Sequence, residues 1–151
     1  MEIWPAIDIR GGQCVRLYQG DYDKETVYGS SPAAMAEHWA SLGAKSLHLV
    51  DLDGAKEGKR VNFDAIKEIV ERVEIPCELG GGIRNEEGIE TYLGIGVHRL
   101  VIGTLALKEK DWFRRWRKNI RIASSSVSTP GTEWSPSTAG WRRARRRRSN
   151  W

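Results

Sequence analysis

The chain has little cysteine: two residues in 151, Cys14 and Cys77. They lie far apart and lack the spacing of a metal site or a disulfide framework, so they read as reduced packing residues of a cytosolic protein. No apolar run approaches the roughly 20 residues that cross a bilayer. The opening Met-Glu-Ile-Trp-Pro has no basic start before an apolar stretch, so a secretory leader is not expected. The expectation is a soluble, cytoplasmic protein without a membrane partner. Acids are scarce in one region only, since Arg114 to Arg148 is crowded with arginine and holds the single acid Glu133. From Met1 to Lys110 there is no excess of base, so the net charge of +4 describes the tail rather than the domain.

What is present is a repeated unit. The first strand is expected over Glu2 to Ile9, where the apolar run Ile3 to Ile7 delivers one carboxylate, Asp8, just before the Gly11–Gly12 pair turns the chain away. In parallel α/β folds the carboxyl ends of the strands carry the chemistry, so Asp8 is a catalytic candidate, set against an Asp that merely starts a turn. Cys14 to Leu17 reads as a short strand or the entry to a loop, and Gln19 to Ser31, without a clear period, as an active-site loop. Ser31 followed by Pro32 starts a helix that Gly43 closes. A strand ending on Asp51, a charged loop over Lys56 to Arg60, and a helix capped by Asn62 come next. Val73 to Leu79 forms a third strand that runs into Gly80–Gly81–Gly82, and Asn85 caps a third helix. His98 to Ile102 is a fourth strand, closed by Gly103–Thr104, and Leu105 begins a helix through Trp112 and Phe113. Four β/α units at this pace predict a parallel sheet with helices outside it. A doubly wound open sheet would be complete at this length, whereas a (β/α)8 barrel typically needs about 250 residues.

The three glycines after the third strand exceed what a turn needs. They let backbone N–H groups approach an anion, and Gly103–Thr104 on the adjacent strand can add contacts to the same phosphate. His48 among apolar neighbours reads by spacing as a core residue. Arg16 and Arg84 can pair with phosphate or carboxylate, although a surface ion pair is the commoner fate of arginine.

Four strings in order, PAIDIRGGQCVRLYQGDY, LHLVDLDGA, ELGGGIR and VIGT, closely resemble the first half of the histidine-biosynthesis sugar-phosphate isomerases. The resemblance covers Met1 to about Phe113. It implies the first half, four β/α units, of a TIM-type (β/α)8 barrel over residues 1–114. It also implies a phosphoribosyl substrate and an Amadori aldose-to-ketose rearrangement that uses neither cofactor nor metal. Carried over by motif, Asp8 is the general base; Gly81, Gly82, Gly103 and Thr104 hold one phosphate; Arg16 and His48 contact substrate. The second acid belongs on a fifth strand in a segment like V-D-A-R-D-G followed by D-G-W, and no such segment stands in this sequence.

Residues 115–151 form an irregular Arg/Ser-rich tail. An arginine-rich, aromatic-interleaved tail can contact nucleic acid, and that is the alternative function: a phosphate-binding half-barrel with a nucleic-acid tail. A further alternative is the bifunctional histidine/tryptophan isomerase. The tail has another reading as well. Taking the third base of each codon from Val127 to Glu133 with the next two, the allowed codons can spell V-D-A-R-D-G. Those from Ser137 to Gly140 can spell D-G-W. The expectation is therefore one missing nucleotide near Arg114 and out-of-frame, disordered sequence after it, which makes nucleic acid an unfavoured partner. A half-barrel alone is expected to be nearly inactive and to self-associate through its exposed edges.

Overall fold

The computed structural model describes residues 3–109 and Asp111. Its elements are β1 (Ala6–Arg10), β2 (Gln13–Tyr18), β3 (Asp21–Gly29), α1 (Pro32–Ser41), β4 (Leu47–Asp51), α2 (Leu52–Glu57), α3 (Phe63–Arg72), β5 (Cys77–Gly80), α4 (Glu86–Gly94), β6 (Arg99–Val101) and α5 (Thr104–Lys108). They build one six-stranded sheet in the order β3-β2-β1-β4-β5-β6. Strands β1, β4, β5 and β6 run parallel, while β2 and β3 form an antiparallel hairpin on the outer edge of β1. Four parallel strands with helices between them are the first half of a (β/α)8 barrel.

Strand register sorts the side chains into two faces, because successive residues point to opposite sides of a sheet. Ile7, Leu49, Leu79 and Leu100 stand in one row across the parallel strands. All four are buried. The same core takes Ala33 and Ala36 of α1, Ile66 and Ile69 of α3, and Ile89 and Tyr92 of α4. At roughly 1.5–3 kcal/mol for each large apolar side chain taken out of water, this layer is the main source of stability. The opposite face carries two rows, Ala6–His48–Glu78–Arg99 and, nearer the carboxyl ends, Asp8–Val50–Gly80–Val101.

Local chemistry sets the element ends. Ser31 Oγ accepts from Ala34 N–H at 3.2 Å and Pro32 opens α1, as the Ser-Pro pair predicts. Asn85 Oδ1 accepts from Gly88 N–H at 2.9 Å, the predicted cap of α4.

Other expectations are corrected. The first strand begins at Ala6, not Glu2. Gln19 to Ser31 is mostly strand, not loop, since β3 occupies Asp21–Gly29. It shows no apolar period because nearly all of it is exposed, so backbone pairing to β2, not a buried face, holds it. The loop expected over Lys56 to Arg60 is irregular only from Gly58, since the short helix α2 spans Leu52–Glu57. The Asp51 side chain accepts from Gly54 N–H at its start, and Gly58 takes the left-handed conformation (φ 74°) at its end. Asn62 precedes α3, yet its side chain makes no capping bond. It is spent elsewhere. Trp112, Phe113 and the tail at 115–151 lie outside the described residues.

Candidate functional site

The carboxyl ends of the four parallel strands bring most of the sequence-predicted residues to one rim. Asp8 sits there on the open face, its side chain 17% exposed, with Arg16 Nη1 at 3.6 Å from Oδ2. Arg16 comes from β2, whose hairpin register places Val15 opposite Asp8. Both line a cavity of about 230 Å³ with Ile7, Tyr28, Met35 and Trp39. The Arg16 guanidinium is itself 68% exposed, so it can turn between Asp8 and an incoming anion at little cost.

A second cavity of about 230 Å³ lies over the glycine turn, lined by Gly80, Gly81, Gly82, Arg84 and Gly103 among others. Thr104 opens α5 next to it; its side chain lies outside what is described. Gly81 and Gly82 have φ of 101° and 72°, a region that L side chains rarely adopt. A Cβ on Gly81 would strike the Asp51 carbonyl oxygen, and one on Gly82 would lie 2.6 Å from the Lys59 carbonyl oxygen. The glycines are therefore demanded by close backbone packing as well as by any anion. Arg84 is the one arginine among the described residues with no acid in ion-pair range; its Nη2 donates only to the Ala55 carbonyl, at 3.4 Å. Asp8, Val50 and Gly80 share one row across adjacent strands. Two strand spacings put Asp8 about 10 Å from the glycine turn.

His48 is not the core residue its neighbours suggest. It stands on the open face one row below Asp8, where its Nδ1–H donates to Glu78 Oε1 at 2.7 Å. Arg99 Nη1 donates to Glu78 Oε2 at 3.2 Å, and its guanidinium lies 4.9 Å from the Trp4 ring centroid. The His48 hydrogen bond, then Arg99, holds the Glu78 carboxyl below its ordinary value of 4.5, against the opposing push of burial. A lowered folded-state pKa contributes stability that is present above 4.5 and is lost as pH falls through the depressed value. The urea midpoint of the wild-type chain is accordingly expected to fall as pH drops below about 4.5, and that of Glu78→Gln to fall less steeply. Parallel acid limbs would refute the assignment.

Sequence reasoning missed a buried polar cluster between the two cavities. Asp51 is fully buried. Its carboxylate accepts from Gly54 N–H (2.8 Å), Val61 N–H (3.3 Å), Asn62 N–H (3.2 Å) and Asn62 Nδ2 (2.7 Å). Asn62 in turn accepts from Gly12 N–H, and Asp53 accepts from Gly11 N–H at 2.6 Å. The strand-ending acid was visible, but its partner Asn62 lies 11 residues on and binds in turn to Gly12, 50 residues away in the chain. The thiols are packing residues as expected: both cysteines are free and buried, and burial pushes Cys77 up to about 11. Burial, then the charge of Asp51, pushes Tyr92 up to about 12.

Among the described residues no helix is long and apolar enough to cross a membrane. No group of three or more His, Cys, Asp or Glu side chains among them is placed to hold a metal ion.

The family model described as histidine biosynthesis protein matches residues 2–148. Three curated relatives are named 1-(5-phosphoribosyl)-5-((5-phosphoribosylamino)methylideneamino)imidazole-4-carboxamide isomerase. The one from Brevibacillus brevis is 55% identical over 117 residues, 78% of this chain and 47% of the relative. That from Rhodopirellula baltica is 54% identical over 114 residues, 75% of this chain and 45% of the relative. That from Dehalococcoides mccartyi is 49% identical over 142 residues, 93% of this chain and 57% of the relative. The chain spans about half the length of the curated relatives it matches.

Proposed function

Since this chain belongs to the histidine biosynthesis protein family, we propose that it supplies the first half of a sugar-phosphate isomerase of that pathway. The reaction is the Amadori rearrangement of a phosphoribosylformimino aminoimidazole carboxamide ribonucleotide to its ribulosyl form. The observation that carries this reading is the placement of one carboxylate, Asp8, about two strand spacings from a glycine turn with an uncommitted arginine beside it, roughly 10 Å. That is the reach of a pentose phosphate. Gly81, Gly82, Gly103 and Thr104 hold the phosphate, with Arg84 as counter-charge, and the sugar extends along the rim toward Asp8. Asp8 removes the C2 proton to give the enolamine, after a second carboxylic acid has protonated the ring oxygen and opened the aminoaldose. Arg16 orients Asp8 and the substrate, and His48 faces the sugar from the row below. No cofactor or metal takes part.

The described residues offer one acid for a two-acid reaction: Asp8 is the only carboxylate among those lining the two cavities. The second acid comes from another half-barrel, and the chain alone is nearly inactive. The open face with its Asp8 row favours association with such a half, including a second copy, in the cytoplasm. An isomerase assay of the 151-residue chain alone, and mixed with the carboxyl-terminal half of the Brevibacillus brevis relative, tests this. Turnover is expected only in the mixture. Turnover by the chain alone would overturn it.

The tail at 115–151 is out-of-frame sequence on this reading. Resequencing the DNA through the codon of Arg114 is expected to restore V-D-A-R-D-G with a single base. An intact frame would overturn that origin and leave a native tail, the alternative that the family match running to residue 148 favours.

A further inference from the structure

We propose that Asn62 is a positioning residue that couples the turn after Asp8 to the glycine turn assigned above to phosphate. The inference rests on that phosphate reading. Asn62 is 6% exposed, and its amide offers both donors and an acceptor, which no carboxylate could do beside Asp51 and Asp53. Nδ2 donates to Asp51 Oδ1 at 2.7 Å and to Asp53 Oδ2 at 2.9 Å, and reaches toward the Ile9 carbonyl at 3.5 Å. Oδ1 accepts from Gly12 N–H at 2.9 Å. One side of the amide thus holds the chain immediately after Asp8.

The other side leads to the glycine turn. The Asp51 carboxylate that Asn62 grips belongs to the residue whose backbone carbonyl packs against the Cα of Gly81 with no room for a Cβ. Gly82 packs in the same way on Gly54, whose N–H the Asp51 carboxylate holds at 2.8 Å. A shift of Asp51 therefore moves the floor under Gly81 and Gly82. Asn62 is the side chain that ties the turn after Asp8 to Asp51, on which the glycine turn rests, and packed interiors transmit such shifts rather than absorb them.

The test is amide NMR on the full 151-residue chain with inorganic phosphate as the probe. In the wild type, phosphate is expected to shift the Gly81 and Gly82 amides. Asn62→Ala is expected to weaken that binding about fivefold, the scale of one or two lost hydrogen bonds, and to speed hydrogen exchange at Gly12. Ile66→Val, a core truncation on α3 that leaves the side-chain hydrogen bonds of Asn62 and Asp51 in place, controls for lost stability and is expected to leave the phosphate affinity unchanged. Phosphate affinity in Asn62→Ala within the range of Ile66→Val would overturn the coupling. Should Asn62→Ala fail to fold, Asp53→Ala removes the shared acceptor of Gly11 N–H and Asn62 Nδ2 at a less buried position. An unchanged affinity there overturns the coupling equally. No phosphate shift in the wild type removes the phosphate reading and this inference with it, whereas wild-type binding with unaffected variants removes this inference alone.

Discussion

Asparagine at position 8 is expected to lower isomerase turnover of the mixed two-half assembly by about 10²–10⁴-fold, the usual contribution of a positioned general base. Asp8→Asn keeps the shape of the side chain and removes only its capacity to take a proton. The chain should tolerate the change. Asp8 stands on the open face, outside the apolar core, and its one ion-pair partner among the described residues is the exposed Arg16 at 3.6 Å. Exposed pairs of this kind contribute about 0–1 kcal/mol, so the urea midpoint is expected to move little. The measurement is kcat for both assemblies alongside their denaturation curves. Turnover within tenfold of wild type, at unchanged stability, would remove Asp8 from the role of base and direct attention to Glu78, the next carboxylate on that face.

The second large effect is on stability. Asp51→Ala is expected to cost about 3–5 kcal/mol, the scale found when one partner of a buried charged network is deleted. Three backbone N–H donors, those of Gly54, Val61 and Asn62, lose this acceptor at once, and Nδ2 of Asn62 loses one of its acceptors. Each buried donor left unpaired costs about 1–3 kcal/mol, less whatever neighbouring water recovers. A domain this size holds only about 5–15 kcal/mol in total. The variant should therefore be unfolded or melt at a much lower urea concentration, whereas Asp51→Asn, which keeps an acceptor oxygen, should retain part of the transition. A cooperative Asp51→Ala transition within about 1 kcal/mol of wild type would show that the cluster is not a keystone of the fold.

These two acids end equivalent apolar runs, and a linear reading treats them alike. The difference lies in which side of the sheet each side chain meets. Asp8 falls in the row of Val50 and Gly80 on the open face, while Asp51 pairs in register with Ile9 on the helix-covered face. The parity of the strand register decides it, and register depends on the neighbouring strand. Asn62 shows the same limit from the other direction. An Asn before a helix is a sound prediction of a cap, and here the helix follows as predicted, but a buried acid 11 residues earlier competes for the amide and wins. His48 looked like core for want of knowing that Glu78 stands beside it in the next strand.

The alternation of strands and helices, the caps at Ser31 and Asn85, the glycine turn at Gly80–Gly82 and the family to which the chain belongs are all legible in the linear chain, because each is written in contiguous residues whose physics is local. The folded chain was needed to show that Asp21–Gly29 pairs as a hairpin strand, that Leu52–Glu57 is helical, and that Asp51 and Asn62 form a buried link between two turns. Asn62 meets Gly12 50 residues away, a separation no local period encodes, and a hairpin strand with no buried face leaves no apolar period to read.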